Sequence, residues 1–330
     1  MTFDGQHDAG EVVAQAHSNI ALCKYWGKRD AALNLPAVGS ISITLAALTT
    51  RTRVRFDAHL ERDTLTLDGQ PAPEAARTRV QRFLDLVREP GHLTHHAAVV
   101  SDNNFPTGAG LASSASAYAA LALAASRAAG LTLSLAELSA LARRGSGSAA
   151  RSIFGGYVEM PLGDTDDAAA RPLAAAAHWP LTVHVAITSS VAKATGSTSG
   201  MNESAATSPY YDNWVESSDN DLRALRAAVL ARDFERLAAI TEHSCLKMHA
   251  VMLATRPALV YWRGATVELM HCVRALRARG TPVCFTIDAG PQLKAITLPS
   301  HAEAVLRELA AVPGVLRIIT SELGGGAVLV

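Results

Sequence analysis

A few short segments of this sequence hold the residue types and spacings that chemistry requires. Residues 103–116 read Asn-Asn-Phe-Pro-Thr-Gly-Ala-Gly-Leu-Ala-Ser-Ser-Ala-Ser and run into an alanine-rich helical stretch, Ala115 to Gly130. A loop of small residues opening onto a helix N-terminus suits an anion. The first backbone N–H groups there have no intrahelical partner, and the helix dipole is positive at that end. With no bulky side chain at Gly108, Gly110, Ser113 or Ser114, a phosphate chain can approach the backbone closely. A tight strand-to-helix turn with a serine cap accounts for the same residues equally well. The loop lacks the Gly-Lys-Ser/Thr ending of a Walker A motif, and Ser113 stands where a dinucleotide fingerprint has its third glycine.

Four other segments carry candidates. Asn19 to Asp30 clusters Lys24, Lys28 and Arg29 with Tyr25 and Trp26, a set that can hold a multiply charged anion or form a solvated basic turn. Gly145 to Gly156 places Arg151 among glycines, serines and alanines, where its fork could meet a carboxylate. Thr195-Gly-Ser-Thr-Ser-Gly-Met201 follows Lys193, and its Ser197 could donate to a phosphate oxygen or cap a helix. Asp288 ends the apolar run Val283-Cys-Phe-Thr-Ile and precedes Ala-Gly-Pro, a position for a catalytic base or for a turn-capping carboxylate.

Periodicity supplies the elements that must position these groups. Strands are expected at Val12–Ala21, Ser40–Leu48, Thr52–Phe56, Thr64–Leu67, His96–Asp102, Gly155–Met160, Leu181–Thr188, Pro282–Asp288 and Val315–Thr320. Asp68-Gly69 reads as a hairpin turn. Helical spacing marks Ala75–Arg88, with Val80, Phe83, Leu84 and Val87 on one face. It also marks Ser134–Ala142, where Ser134 and Glu137 form a capping box, and Ala302–Ala311. Further helices are expected at about 202–216, 219–230, 233–250 and 257–279, and residues 164–180 read as a surface excursion. Hairpin-like links between successive strands favour α+β over a doubly wound parallel sheet.

Composition narrows the class. At 330 residues the chain suits about two domains of ~150 residues and a large core. Thirty basic residues balance thirty acidic ones, so no basic surplus points to nucleic acid or to an acidic membrane. Cys23, Cys245, Cys272 and Cys284 form no Cys-x-x-Cys pair and are expected as free thiols of a reducing cytoplasm. Among the twelve histidines, His95-His96 reads as a strand or loop pair rather than a metal site, and no metal site built by protein ligands is expected. Residues 1–10 read as a loose tail, and the polar, acidic N-terminus (Asp4, Asp8, Glu11) argues against a signal peptide. No run of ~18 apolar residues is present for a membrane span.

Together the segments resemble the diphosphomevalonate decarboxylase family, a branch of the galactokinase–homoserine kinase–mevalonate kinase–phosphomevalonate kinase (GHMP) superfamily. The resemblance spans Ala16 to about Pro291 in blocks that keep the family's order: Asn19–Asp30, Asn103–Ser116, Ser146–Glu159, Gly196–Met201 with Thr207-Ser208-Pro209, and Phe285–Pro291. Lys-Tyr-Trp-Gly-Lys-Arg-Asp and Asn-Asn-Phe-Pro-Thr set this branch apart from the pure kinases.

The resemblance implies a two-lobe GHMP-kinase-like α+β fold. Its ATP-binding N-terminal lobe (residues 1–185) would be of the ribosomal protein S5 domain 2-like type, and its C-terminal lobe (186–330) ferredoxin-like. It implies ATP and Mg2+ as cofactors, mevalonate 5-diphosphate as substrate, a homodimer and a cytoplasmic location. By motif position, Asp288 would orient or deprotonate the attacking hydroxyl. Lys24 would stabilise charge beside it, and Arg151 would grip the substrate carboxylate. Tyr25, Lys28 and Ser197 would hold the diphosphate. Gly108, Ala109, Gly110, Leu111, Ser113 and Ser114 would cradle the ATP phosphates.

Two departures are visible. Met160 follows Glu159 where many relatives carry Trp, and Ala37-Val-Gly-Ser40 replaces an Asn-Ser-Ser-like segment. A decarboxylase of the monophosphate, a kinase that does not decarboxylate, and a catalytically silent nucleotide-binding regulator are the alternatives.

Overall fold

Apolar residues alternate with hydroxyl and basic ones from Ser40 onward and build one strand of 18 residues, Ser40–Asp57, where the sequence suggests two. Its first six residues are buried on both faces, and its last half alternates buried with exposed, as a half-covered strand does. The computed structural model describes residues 10–105, 113–191 and 193–330. The expected tail at residues 1–9 and loop residues Gly108, Ala109, Gly110 and Leu111 lie outside the described residues.

The first half runs β1 (Val12–Cys23), β2 (Lys28–Asp30), β3 (Leu35–Pro36), β4 (Ser40–Asp57), β5 (Thr64–Leu67), β6 (Gln70–Pro71) and α1 (Glu74–Gly91). It continues with β7 (His96–Asn103), α2 (Ser113–Ala128), α3 (Leu135–Gly145), α4 (Ala149–Ser152), β8 (Tyr157–Met160) and β9 (Arg171–Ala174). The second half runs β10 (Thr182–Ile187), α5 (Ser197–Thr207), α6 (Tyr211–Ala231), α7 (Phe234–Leu253) and α8 (Gly264–Ala278). Then follow β11 (Val283–Ile287), β12 (Leu293–Thr297), α9 (Ala302–Ala310), β13 (Arg317–Glu322) and β14 (Val328–Leu329).

Among the described residues, eight strands form one sheet in the order β14-β1-β4-β7-β5-β6, with β8 paired to the first residues of β4 and β9 beyond it. Pairing is antiparallel except between β5 and β7. Asp68 and Gly69 join β5 to β6 with positive φ at both residues, as a two-residue hairpin requires. Four strands form a second, antiparallel sheet in the order β11-β12-β10-β13. A cut between residues 185 and 186 passes through β10, and β14 returns to the first sheet.

One face of the first sheet buries Val54, Phe56 and Val99 against Phe83, Leu84 and Val87 of α1 and against the alanines of α2. Those alanines bring α2 close to β1 and β4, because no long side chain holds the helix off the sheet. Each Leu, Val or Phe buried this way stabilises by about 1.5–3 kcal/mol. Ile20, Leu22, Ile41 and Ile43 pack instead against Val183, Val185, Leu222 and Leu225, which fuses the two halves through a common core. A further core joins the second sheet to α8 and α9. The result is the two-lobe α+β architecture expected of a GHMP-kinase-like chain.

Several expectations are corrected. Residues 202–230 form not two helices broken near 217 but α5 and one long α6, because Ser217 and Ser218 bond back to Asn213 O and Trp214 O without ending the helix. The helix expected from residue 257 begins at Gly264, after Thr266 Oγ1 accepts from the Arg263 N–H. The 164–180 excursion contains β9 and buries Trp179. Strand β12 was not anticipated. Among the described residues no helix is long and apolar enough to cross a membrane.

Candidate active site

Two irregularities in β1 set the site. Register shifts between His17 and Asn19 and between Ala21 and Cys23 re-aim the end of the strand. Asn19 then donates through Nδ2 to Ser148 O (2.9 Å) and Ser152 Oγ (2.7 Å), and Lys24 follows the last residue of the strand. The Lys24 backbone N–H donates to Ser244 Oγ of α7 at 2.9 Å, which ties this segment to the second half.

Lys24 is 1% exposed, and its Nζ lies 2.5 Å from Asp288 Oδ1. Lys294 of β12 is equally buried and reaches Asp288 Oδ2 at 2.9 Å. Burial works to raise the Asp288 pKa, but the two ammonium groups outweigh it and hold the carboxyl well below the usual carboxylate range. Asp288 thus stays ionised at any pH at which the protein works. Its side chain is 22% exposed, and it lines the cleft together with Lys24.

Arg151, on the short helix α4, is 2% exposed. Its Nε donates to Ser42 Oγ (3.0 Å), Nη1 to Ser40 Oγ (2.7 Å) and Nη2 to Asn19 Oδ1 (3.2 Å). All three acceptors are neutral, and among the described residues no carboxylate pairs with it. Burial lowers its pKa to about 10, so it remains a cation with no carboxylate in contact among the described residues.

The same cleft, of about 400 Å³, is lined by Lys24, Tyr25, Lys28, Ser113, Ser114, Arg151, Ser197 and Asp288. Every described residue to which the resemblance gives a site role therefore meets in one place, whereas Arg29 of the same basic cluster lies outside the cleft and pairs with Asp164. Ser113 and Ser114 open α2, and Ser197 opens α5, whose cap is Gly196 with no side chain to satisfy the first N–H groups. Two helix N-termini thus face one cavity. Tyr25 Oη and Trp26 Nε1 are buried without a hydrogen-bond partner among the described residues. Burial pushes the Tyr25 phenol up to about 12, so it is a proton donor.

Sequence reasoning missed several members. Arg79 of α1 and Lys193 also line the cleft, so five Lys or Arg side chains face the single carboxylate Asp288 in a chain of zero net charge. Lys193 Nζ donates to Ser197 Oγ (2.7 Å) and Ala289 O (3.1 Å), and burial lowers its pKa to about 8. Ser40 ends the segment where the family motif departs and Ser42 follows two residues later, and alternation along β4 places both on the Arg151 side. Lys294 was hidden in the unanticipated β12, where a lysine inside the apolar run Leu293 to Ile296 is the signal.

Residues 16–171 match the diphosphomevalonate decarboxylase-like N-terminal domain, and residues 183–321 match the mevalonate 5-diphosphate decarboxylase C-terminal domain. The diphosphomevalonate decarboxylase of Schizosaccharomyces pombe is 36% identical over 323 residues, covering 92% of this chain and 82% of that protein. The chain belongs to the diphosphomevalonate decarboxylase family. The Homo sapiens member is 37% identical, covering 87% of this chain and 76% of its own. Among solved decarboxylase structures, that of Staphylococcus aureus superposes with a TM-score of 0.92 at 37% identity, covering 97% of this chain and 98% of the other. A complex of MDDEF with MVAPP, AMPPCP and magnesium superposes at 0.91 with 39% identity and the same coverage.

Proposed function

We propose that the chain catalyses the ATP-dependent decarboxylation of mevalonate 5-diphosphate, releasing isopentenyl diphosphate, ADP, phosphate and CO2. The observation that carries this reading is the pairing, in one cleft, of an ionised Asp288 with a buried Arg151 that no carboxylate contacts among the described residues. A hydroxyl and a carboxylate on adjacent parts of one substrate fit that pair.

The residues present fit the expected ligands. The unpartnered Tyr25 Oη, the Lys28 ammonium and the first turn of α5 around Ser197 suit a diphosphate. Ser113 and Ser114 at the start of α2 suit nucleotide phosphates, and their hydroxyl oxygens suit Mg2+. Bound Mg2+–ATP supplies the phosphoryl group and neutralises part of its charge.

Asp288 accepts a hydrogen bond from the tertiary hydroxyl and aims its oxygen. With its pKa held so low, it acts mainly by orientation, and it accepts the hydroxyl proton only late, once the forming O–P bond has made that hydroxyl strongly acidic. Lys24 balances charge at the transferring group. Phosphorylation turns a poor leaving group into a good one. As phosphate departs with the C–O electron pair, the tertiary carbon becomes electron-poor. The bond to the carboxylate then breaks, its electrons form the alkene, and CO2 leaves. Arg151 positions that carboxylate until it is lost as neutral CO2, when the guanidinium loses its counter-ion and the product its hold.

Incubation with Mg2+–ATP and mevalonate, its 5-phosphate or its 5-diphosphate, with ADP and CO2 followed separately, tests the reading. CO2 and ADP in equal amounts from the diphosphate are expected. ADP without CO2 would show a kinase, and CO2 from the monophosphate alone would show the other decarboxylase.

A further inference from the structure

Lys294 sits second in β12, a strand flanked by β10 and β11, with Val185 and Thr286 as its register partners. Its neighbours along the strand, Leu293, Ala295 and Ile296, are fully buried. An ammonium in such surroundings loses its hydration, and a methionine of similar volume would fill the space without that cost. Packing therefore does not explain a lysine here, whereas the 2.9 Å contact to Asp288 Oδ2 does.

We propose that Lys294 is a positioning residue for the reaction: together with Lys24 it fixes both oxygens of Asp288 and so the orientation of that carboxylate. One cation alone would leave the carboxylate free to turn about its Cβ–Cγ bond. Lys24 arrives from the first sheet and Lys294 from the second, so the plane of the carboxylate is defined by both lobes at once. The charged and titratable groups around Asp288 are Lys24 after β1, Lys294 on β12, Lys193 from the β10–α5 connection, Arg151 on α4, and Cys245 and His249 on α7. Burial pushes His249 down to about 3, so it contributes no charge in the working range. Removing Lys294 leaves Lys24 as the one cation among the described residues in contact with the carboxylate. The Asp288 pKa then rises, because burial still disfavours its charged form.

This assignment rests on the decarboxylase reading. The test compares the full chain with Lys294→Met and Lys294→Gln, measuring kcat and KM for mevalonate 5-diphosphate against pH, with thermal unfolding as a check on folding. In Lys294→Met, kcat falls about 10–100-fold, KM stays within about twofold, and the acid limb of kcat, which in the unaltered chain lies below the working range, moves up towards it. Lys294→Gln keeps a donor without the charge, so it shows the same shift of the acid limb with a smaller loss at the plateau. Folded variants with wild-type kcat and an unmoved acid limb overturn the proposal. So does a loss in kcat and KM together with a lowered thermal midpoint and an unmoved limb, which marks a structural lysine. If Lys294→Met does not fold, Lys294→Gln carries the same readouts, and failure of both to fold also overturns it. No CO2 from the unaltered chain would sink the decarboxylase reading instead, which keeps the two failures apart.

Discussion

Lys24 Nζ lies 2.5 Å from Asp288 Oδ1, across the boundary between two sheets and 264 residues of sequence. Substituting Asp288 by Asn preserves shape and removes the charge that both lysines face. Turnover should fall by at least about 10²–10⁴-fold. Calorimetry should still detect binding of a non-hydrolysable ATP analogue, because the first turn of α2 is untouched. Wild-type turnover in Asp288→Asn would remove this carboxylate from the mechanism.

Arg151→Gln should separate the two half-reactions. The guanidinium is assigned to the substrate carboxylate, so CO2 release should fall about 100-fold or more, as for removal of one preorganised electrostatic group. Phosphoryl transfer should fall less, and the ratio of ADP to CO2 should rise above one. An unchanged ratio would place Arg151 in phosphoryl transfer as well.

Gly147 is packed against Tyr25, and a Cβ there would overlap the phenol oxygen. Gly147→Ala should lower stability by about 1–3 kcal/mol through overpacking and raise KM for the diphosphate substrate about tenfold. Adding Tyr25→Phe removes the nearest overlapping atom, although the ring carbon Cζ stays 2.8 Å from the added Cβ. The double variant should recover part of the stability, read by urea unfolding, without recovering KM.

Lys193 supplies a pH limb. Its folded pKa is about 8, below the usual lysine value, because of burial. The unfolded chain therefore binds this proton more tightly, and stability from this group rises with pH between about 8 and 10.4. Anion binding runs the other way, since the cation is lost above about pH 8. KM for the anionic substrates should climb through that value, and Lys193→Met should have a high KM already at pH 7 with no further climb.

Glu159 of β8 is 1% exposed and takes a two-pronged contact from Arg226 of α6, at 2.7 and 2.8 Å, with Arg171 of β9 at 3.0 Å. Burial works to raise its pKa, but the arginines outweigh it and lower it. The pair therefore stabilises above the unfolded carboxyl value of about 4.3 and is lost as pH falls through the lower folded value. Both arginines keep contact with water, so Glu159→Gln should cost about 2 kcal/mol, less than a fully buried pair. Denaturant unfolding at pH 7 measures it, and the difference should vanish in acid.

The chemistry was legible in the sequence because it sits at the ends of elements. Lys24, Arg151, Ser197 and Asp288 stand beside glycines and small hydroxyl residues, and the breaks that mark turns also mark the cleft. What stayed hidden sits inside elements. Ser40 and Ser42 look like the polar half of an alternating strand, yet β4 is covered on both faces there, so their hydroxyls serve a buried guanidinium. Lys294 looks like a solvent-facing residue of a short edge until β10 and β11 are seen on either side of it. The division of β4 into two strands and of 202–230 near 217 failed for a common reason: local hydroxyl residues suggest breaks that tertiary pairing overrides.

The return of β14 to the edge of the first sheet sets the order of assembly. Leu329 and Val328 pair with Ala14 and Gln15, and Leu323 bridges to Leu45, so strands made first wait for a partner made after the whole second sheet. On the ribosome the outer edge of β1 stays open while α5 to β13 are synthesised. The second lobe must fold against an unfinished first one, and the late strand then closes over the open edge like a latch.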